Sequence, residues 1–179
     1  MRERTIKRNY EIMEMITSWV RKSLASMMFL GFSPVMPGTV GAAVTAALIY
    51  YFRSSLQLFF TVEYVTYFYF AFLVFVVFSV YVSHDSKSVF GSEDPSAVII
   101  DEAAGMIITL FLMPLTWRVI LLGFFLFRFF DIVKPYPVHK FEDLDGGLGI
   151  VMDDIVAGVL ANISLFATLA IYHAIRANL

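Results

Sequence analysis

Residues 61–82 form a predominantly apolar stretch of 22 residues in which Glu63, close to one end, is the only charged side chain. As a helix, a run of that length is about 33 Å long, enough to cross a hydrocarbon core of ~30 Å, and a carboxylate so near its end can reach the interface. The rest of the chain suits the same setting. It is 59% hydrophobic and 16% charged, whereas soluble domains run near ~45–50% and ~25%. Nineteen Phe, nine Tyr and two Trp exceed what a globule of 179 residues can bury without a bilayer or a partner. Disorder, collagen and coiled coil are excluded by the same composition. The absence of cysteine removes a disulfide framework, a thiolate nucleophile and a Cys-ligated metal.

Further apolar stretches occupy residues 41–52, 103–115, 119–130 and 155–171. The first follows a Pro/Gly-rich turn and alone would cover only ~18 Å, so the segment from Met27 is expected to enter the membrane region with it. The two middle stretches, parted by Thr116-Trp117-Arg118, are short enough to be tilted or re-entrant. Within residues 10–28, Ile12, Ile16, Trp19, Val20, Leu24, Met27 and Met28 recur at helical spacing, with Glu11, Glu14, Arg21 and Lys22 on the other side. That pattern predicts an amphipathic helix, lying in the inner interface or packed on the protein's own cytoplasmic face. The expected fold is all-α: a small polytopic membrane protein of about four to five transmembrane or re-entrant helices plus this N-terminal helix. It forms one membrane-embedded domain over 1–179, with 1–30 as the basic interfacial segment and 31–179 as the helical core.

Orientation follows from the cations. If the chain turns at Trp117, the N-terminus and the loops 83–102 and 128–154 share one side, with ten of the 13 Lys and Arg; Arg53, Arg118 and Arg176 lie on the other. The positive-inside tendency makes the richer side cytoplasmic. One continuous span over 103–130 would instead leave Arg118 in mid-membrane, so the turn is the better reading.

Eleven of the 15 acids lie in the two inner loops or at the helix ends bordering them, and four clusters there carry chemical potential. Gly31-Phe32-Ser33-Pro34-Val35-Met36-Pro37-Gly38-Thr39-Val40-Gly41 is a turn opening a helix, whose free N–H groups and dipole favour an anion such as phosphate; helix punctuation is the plainer alternative. Asp101-Glu102 enters an apolar run, as metal ligands or as helix caps. Arg128 and Asp131 share a helical face, with Lys134 beyond them expected to be extended before Pro135. Gly146-Gly147-Leu148-Gly149 is a glycine-rich loop, after which Asp153-Asp154 begins the last span. Paired acids repel unless a cation binds between them, and Mg²⁺, with hard oxygen ligands completed by phosphate, fits.

Taken together these segments resemble the phosphatidylglycerophosphatase A family. The string Phe-Arg-x-x-Asp-x-x-Lys-Pro-x-Pro at 127–137, with Gly-Gly-x-Gly-Ile-x-x-Asp-Asp-Ile-Val-Ala-Gly at 146–158, is far more specific than any one motif. The resemblance implies a multi-pass bacterial inner-membrane enzyme that uses Mg²⁺ to hydrolyse the terminal phosphomonoester of phosphatidylglycerophosphate, giving phosphatidylglycerol and inorganic phosphate. Its partners would be the bilayer and that phospholipid, with no nucleic acid. Asp101, Glu102, Asp131, Asp153 and Asp154 would hold one or two Mg²⁺, directly or through water. Arg128 and Lys134 would neutralise the phosphoryl oxygens, with Gly38 and Thr39 also binding phosphate, and Asp131 and Asp154 would be the catalytic acids, as base or nucleophile. Position 42 is Ala where the family often carries Ser, which leaves Thr39 and backbone to serve this loop.

Three other classes share parts of the pattern. An ion or proton transporter places its carboxylates near mid-membrane, whereas these gather at one boundary. A CDP-alcohol phosphotransferase needs Asp-Gly-x-x-Ala-Arg, but Asp145-Gly146 runs into Gly147-Leu148-Gly149. Asp143-Leu144-Asp145 imitates the nucleophile signature of soluble haloacid-dehalogenase-type phosphatases without the strand before it or the chain to complete an α/β fold.

Overall fold

The computed structural model describes residues 2–84, 86–91, 95–142 and 144–178, and among them every regular element is helical. In chain order these are α1 (Arg2–Ala25), α2 (Pro37–Tyr51), α3 (Arg53–Phe59), α4 (Val65–Ser83), α5 (Ser86–Phe90), α6 (Ile100–Thr109), α7 (Trp117–Val133), α8 (Val138–Glu142) and α9 (Gly147–Ala177). The all-α expectation is met.

Local chemistry explains the boundaries. Pro37 opens α2 at the position where its missing N–H costs nothing. Thr116 caps α7, its Oγ1 accepting from Val119 N at 3.4 Å. Between α6 and α7 the chain reverses. Asn162 of α9 donates from Nδ2 to the carbonyls of Thr109 (3.0 Å) and Phe111 (2.9 Å), satisfying acceptors that the end of α6 leaves open. Gln57 Oε1 accepts from Leu115 N at 3.1 Å, which ties α3 to the same end of the bundle. Residues 103–130 thus fall in two helices joined by a turn, not in one continuous helix.

The long helix α9 packs on α4, α6, α7 and α8. Met106, Leu110, Phe127, Ala157, Ala161 and Leu165 form the centre of the core, all buried. Among the described residues two helices, α4 and α9, are long and apolar enough to cross a membrane. Along α4 the side chains of Tyr67, Phe70, Leu73, Val77 and Tyr81 are exposed, an apolar surface that suggests association with a membrane. Much of α1 likewise exposes its apolar face, including Ile12, Ile16 and Trp19; its end meets α4, where the Arg21 guanidinium lies over the Tyr81 ring.

Before α2, Met27, Met28 and Phe29 have positive φ and lead into a single 3₁₀ turn, so α2 itself is about 22 Å long. Two local expectations are corrected. The glycine-rich run is not a loop. Gly146, at φ 63°, caps α9, and Gly147 lies so close to Val80 and Ser83 of α4 that only a residue without Cβ fits. Asp153 and Asp154 therefore stand in the second turn of α9 instead of starting it. Lys134 is not extended but left-handed (φ 45°, ψ 55°), closing α7 with its N–H on Phe130 O at 2.9 Å.

Candidate active site

The polar ends of four helices converge. The first turn of α2 brings Gly38 and Thr39, the first turn of α6 brings Asp101 and Glu102, and the second turn of α9 brings Asp153 and Asp154. The last turn of α7 supplies Asp131, with Arg128 just before it and Lys134 as its C-cap. What draws α6 and α9 together lies one turn further in. A Cβ on Gly158 would overlap Gly105 O, and one on Gly105 would overlap the Phe127 ring and Asp154 O, so the two backbones touch. Asp101 precedes Gly105 by four residues and Asp154 precedes Gly158 by four. Each carboxylate therefore stands one turn from the crossing, on the face of its helix that meets the other.

The consequence is a cluster of three acids. Asp101, Glu102 and Asp154 each offer a carboxylate oxygen within 4.8 Å of the others. Asp101 Oδ1, Glu102 Oε2 and Asp154 Oδ2 are buried and have no hydrogen-bond partner among the described residues. Buried carboxylate oxygens without partners are costly, and hard oxygen donors at this spacing suit a cation such as Mg²⁺. Burial, and then the charge of Glu102, push the Asp101 carboxyl well above the usual carboxylate range. Glu102 is also raised by burial, opposed mainly by the hydrogen bond it shares with Asp101.

The other two acids are engaged by cations. Arg128 Nη1 lies 2.5 Å from Asp131 Oδ2, and Lys134 Nζ donates to Asp153 Oδ2 at 2.6 Å. Asp153 Oδ1 in turn accepts from Asp154 N at 2.9 Å. Arg128 Nε is buried without a hydrogen-bond partner, as is Thr39 Oγ1. Gly38 sits against Glu102 and Arg128, and a Cβ there would overlap Glu102 Oε1. These five acids, both cations and Gly38 line one cavity of about 800 Å³, with a sixth acid, Asp145, and Gly146 and Gly149 also in its wall.

Of the residues singled out in the sequence, Gly38, Asp101, Glu102, Arg128, Asp131, Lys134, Asp153 and Asp154 thus share one cavity, and Thr39 follows Gly38 on α2. Ala42 is buried in the core, so a departure at this position leaves the cavity wall unchanged. His84 lies near Gly146 and His139 beside the Tyr136 ring, and neither lines the cavity. Asp143 lies outside the described residues. The sequence reading missed Gly105 as a spacer, although the matching four-residue intervals Asp101–Gly105 and Asp154–Gly158 were its visible signal.

Comparison with known proteins bears on the same residues. The profile of the family described as "Phosphatidylglycerophosphatase A" matches residues 23–169, which contain every side chain of the cavity. A Bacteroides thetaiotaomicron protein named for phosphatidylinositol-3-phosphatase activity is 38% identical over 136 residues, 72% of this chain and 80% of its own length. Escherichia coli phosphatidylglycerophosphatase A is 35% identical over 135 residues, 73% of each chain. The Haemophilus influenzae protein of that name is 40% identical over 89 residues, 49% of this chain and 55% of its own. No solved structure matches. With the match running through all four polar helix ends, this chain belongs to the phosphatidylglycerophosphatase A family.

Proposed function

We propose that the chain hydrolyses the terminal phosphomonoester of phosphatidylglycerophosphate to phosphatidylglycerol and inorganic phosphate, in a Mg²⁺-dependent reaction at the cytoplasmic face of a bacterial inner membrane that it crosses several times. The observation that carries this reading is the set of three buried, unpartnered carboxylate oxygens facing Arg128 and Lys134 across one cavity. Asp101, Glu102 and Asp154 would hold the cation, directly or through water, with Asp131 and Asp153 adding their charge beside them. When bound, Mg²⁺ supplies charge stabilisation for the phosphoryl group and its attacking oxygen.

The chain's own groups do the rest. Arg128 and Lys134 bind phosphoryl oxygens, the former held in place by Asp131 and the latter by Asp153. Thr39 Oγ1 and the backbone at Gly38, at the start of α2, complete the anion site. Asp131 or Asp154 takes the proton of the attacking water and returns it to the departing lipid oxygen; in the covalent alternative it attacks phosphorus itself, the lipid oxygen leaves and is protonated by water, and a water then cleaves the aspartyl phosphate. In either case the lipid hydroxyl departs and phosphate remains among the cations. Phosphomonoester hydrolysis needs mainly such positioning and charge stabilisation.

The test is phosphate release by purified protein, with and without Mg²⁺, from phosphatidylglycerophosphate, phosphatidylinositol-3-phosphate and phosphatidic acid. Fastest release from the first, abolished without metal, supports the reading. Faster release from the inositol lipid would reassign the headgroup toward the activity for which the Bacteroides relative is named. No release from any would favour a transporter or a phosphotransferase.

A further inference from the structure

A second cavity, of about 470 Å³, lies between α2, α3, α4 and α6, within the roughly 300–1,000 Å³ usual for small-molecule sites. Its walls include Leu48, Phe52, Phe72, Phe75, Ile107 and Leu110. The one hydroxyl among its lining side chains, Thr45 Oγ1, is turned back onto Gly41 O at 2.9 Å. Such a lining offers nothing to a headgroup and suits a hydrocarbon chain.

Two helices connect this cavity to the polar one. On α2, Gly38 lines the polar cavity, and Thr45, Leu48 and Phe52, at intervals of seven, ten and fourteen residues along the same face, line the apolar one. On α6, Glu102 belongs to the first cavity, while the next residue, Ala103, begins a stripe with Ile107 and Leu110 in the second. The rise of α2 puts the start of the apolar cavity about 10 Å beyond Gly38 and its far wall about 21 Å beyond. Ile99 packs on Gly41, which lies on α2 between Gly38 and Thr45. A molecule with an anionic head in the polar cavity thus finds an apolar channel wall continuing along the helices that hold its head.

We propose that this groove is an acyl-chain site for the lipid substrate, seating one chain between α2, α4 and α6 while the phosphate lies among Arg128, Lys134 and the acids. The assignment rests on the phospholipid reading above. It differs from coating by bulk lipid in a testable way. Phe68, Ala71, Phe72 and Phe75 face the groove, whereas Phe70, Leu73 and Val77 are exposed on α4 and outside it. Bulk lipid would treat both faces alike.

The experiment uses the full chain in lipid nanodiscs with a phosphatidylglycerophosphate analogue carrying a diazirine near one terminal methyl. Cross-links are expected to concentrate on Phe72, Phe75 and Ile107 and to fall when unlabelled substrate is added. Equal labelling of Phe70 and Leu73, without competition, would overturn the proposal. In parallel, Ala71→Phe, which fills the groove from an exposed wall position, is expected to lower the dipalmitoyl-to-dihexanoyl ratio of kcat/KM by about tenfold, within the range a reshaped apolar pocket achieves. Leu73→Ala on the outward face is expected to leave that ratio unchanged. An unaltered ratio in Ala71→Phe would count against the groove. Competed labelling of the groove in a protein that releases no phosphate from this lipid would support the chain site while refuting the assigned reaction.

Discussion

Gly158 of α9 meets Gly105 of α6 at backbone contact, and the carboxylates of Asp154 and Asp101 stand one turn along each helix from that crossing. Small residues at such a crossing let helices approach closely whether the surroundings are water or lipid. Here the approach also sets the distance between acids contributed by two different helices. Replacing Gly158 by Val forces the backbones apart. The expected cost is about 1–3 kcal/mol of stability from overpacking, together with loss of turnover and of Mg²⁺ affinity. Normal melting temperature and full phosphate release in Gly158→Val would show that the crossing does not set the site.

Asp131→Asn and Asp154→Asn keep the shape of the side chain and remove its charge. Each is expected to lower kcat by about 10²–10³, the usual effect of deleting one preorganised electrostatic group, while the protein still folds and inserts. Phosphate release and melting temperature measured on the same preparations decide it. Nearly normal rates with a lowered melting temperature would mean that these residues are architecture.

Asp153 is a different case, because its Oδ2 is occupied by Lys134 Nζ at 2.6 Å. Asp153→Asn is expected to raise KM for the lipid more than it lowers kcat, since Lys134 loses the group that orients it toward phosphate. Mg²⁺ affinity, followed by calorimetry, is expected to fall much less than in Asp154→Asn. An equal fall in both would make Asp153 a direct ligand.

Without metal, burial and the neighbouring Glu102 keep the Asp101 carboxyl protonated well above the ordinary carboxylate range. The folded protein therefore holds a proton that the unfolded chain releases, so the contribution of this group to metal-free stability is full below the ordinary carboxyl range and is lost as pH rises through the raised value. Mg²⁺ must displace that proton, so its affinity is expected to climb with pH over the same interval. Titrations in two buffers of different ionisation enthalpy would reveal proton release on binding. Affinity independent of pH would contradict the three-carboxylate site. Exhaustive chelation, with metal content verified, is expected to abolish turnover.

The excess of Lys and Arg on the side of the site predicts that Lys140 faces the cytoplasm and Arg118 the opposite compartment. In this cysteine-free chain, Lys140→Cys and Arg118→Cys give single labelling positions. An impermeant thiol reagent added to intact cells is expected to modify the second only. Modification of Lys140→Cys from outside would reverse the orientation.

Much of the site was legible along the chain because the acids and cations are local in sequence and concentrated in a hydrophobic background. Asp101-Glu102, Arg128 with Asp131 and Asp153-Asp154 stand out for that reason, and the i, i+3 interval alone predicts the Arg128–Asp131 pair. Helical character, the apolar run that becomes α4 and the reversal near Trp117 also follow from local pattern. Turn chemistry was less legible. The left-handed Lys134 and the start of α9 at Gly147 depend on contacts with other segments, and local preference before a proline or within a glycine run points elsewhere.

Which acids face one another could only be decided in three dimensions. Composition makes five carboxylates equivalent, yet Lys134 takes Asp153 and Arg128 takes Asp131, leaving one oxygen each of Asp101, Glu102 and Asp154 buried together without a hydrogen-bond partner among the described residues. That division depends on where α7 ends relative to α9 and on how closely α6 can lie against α9 at two glycines. Both are distances between segments far apart in the chain, set by packing, and no local pattern encodes them. The residue types and their spacing along each helix belong to the sequence; the pairing of charges across helices belongs to the fold.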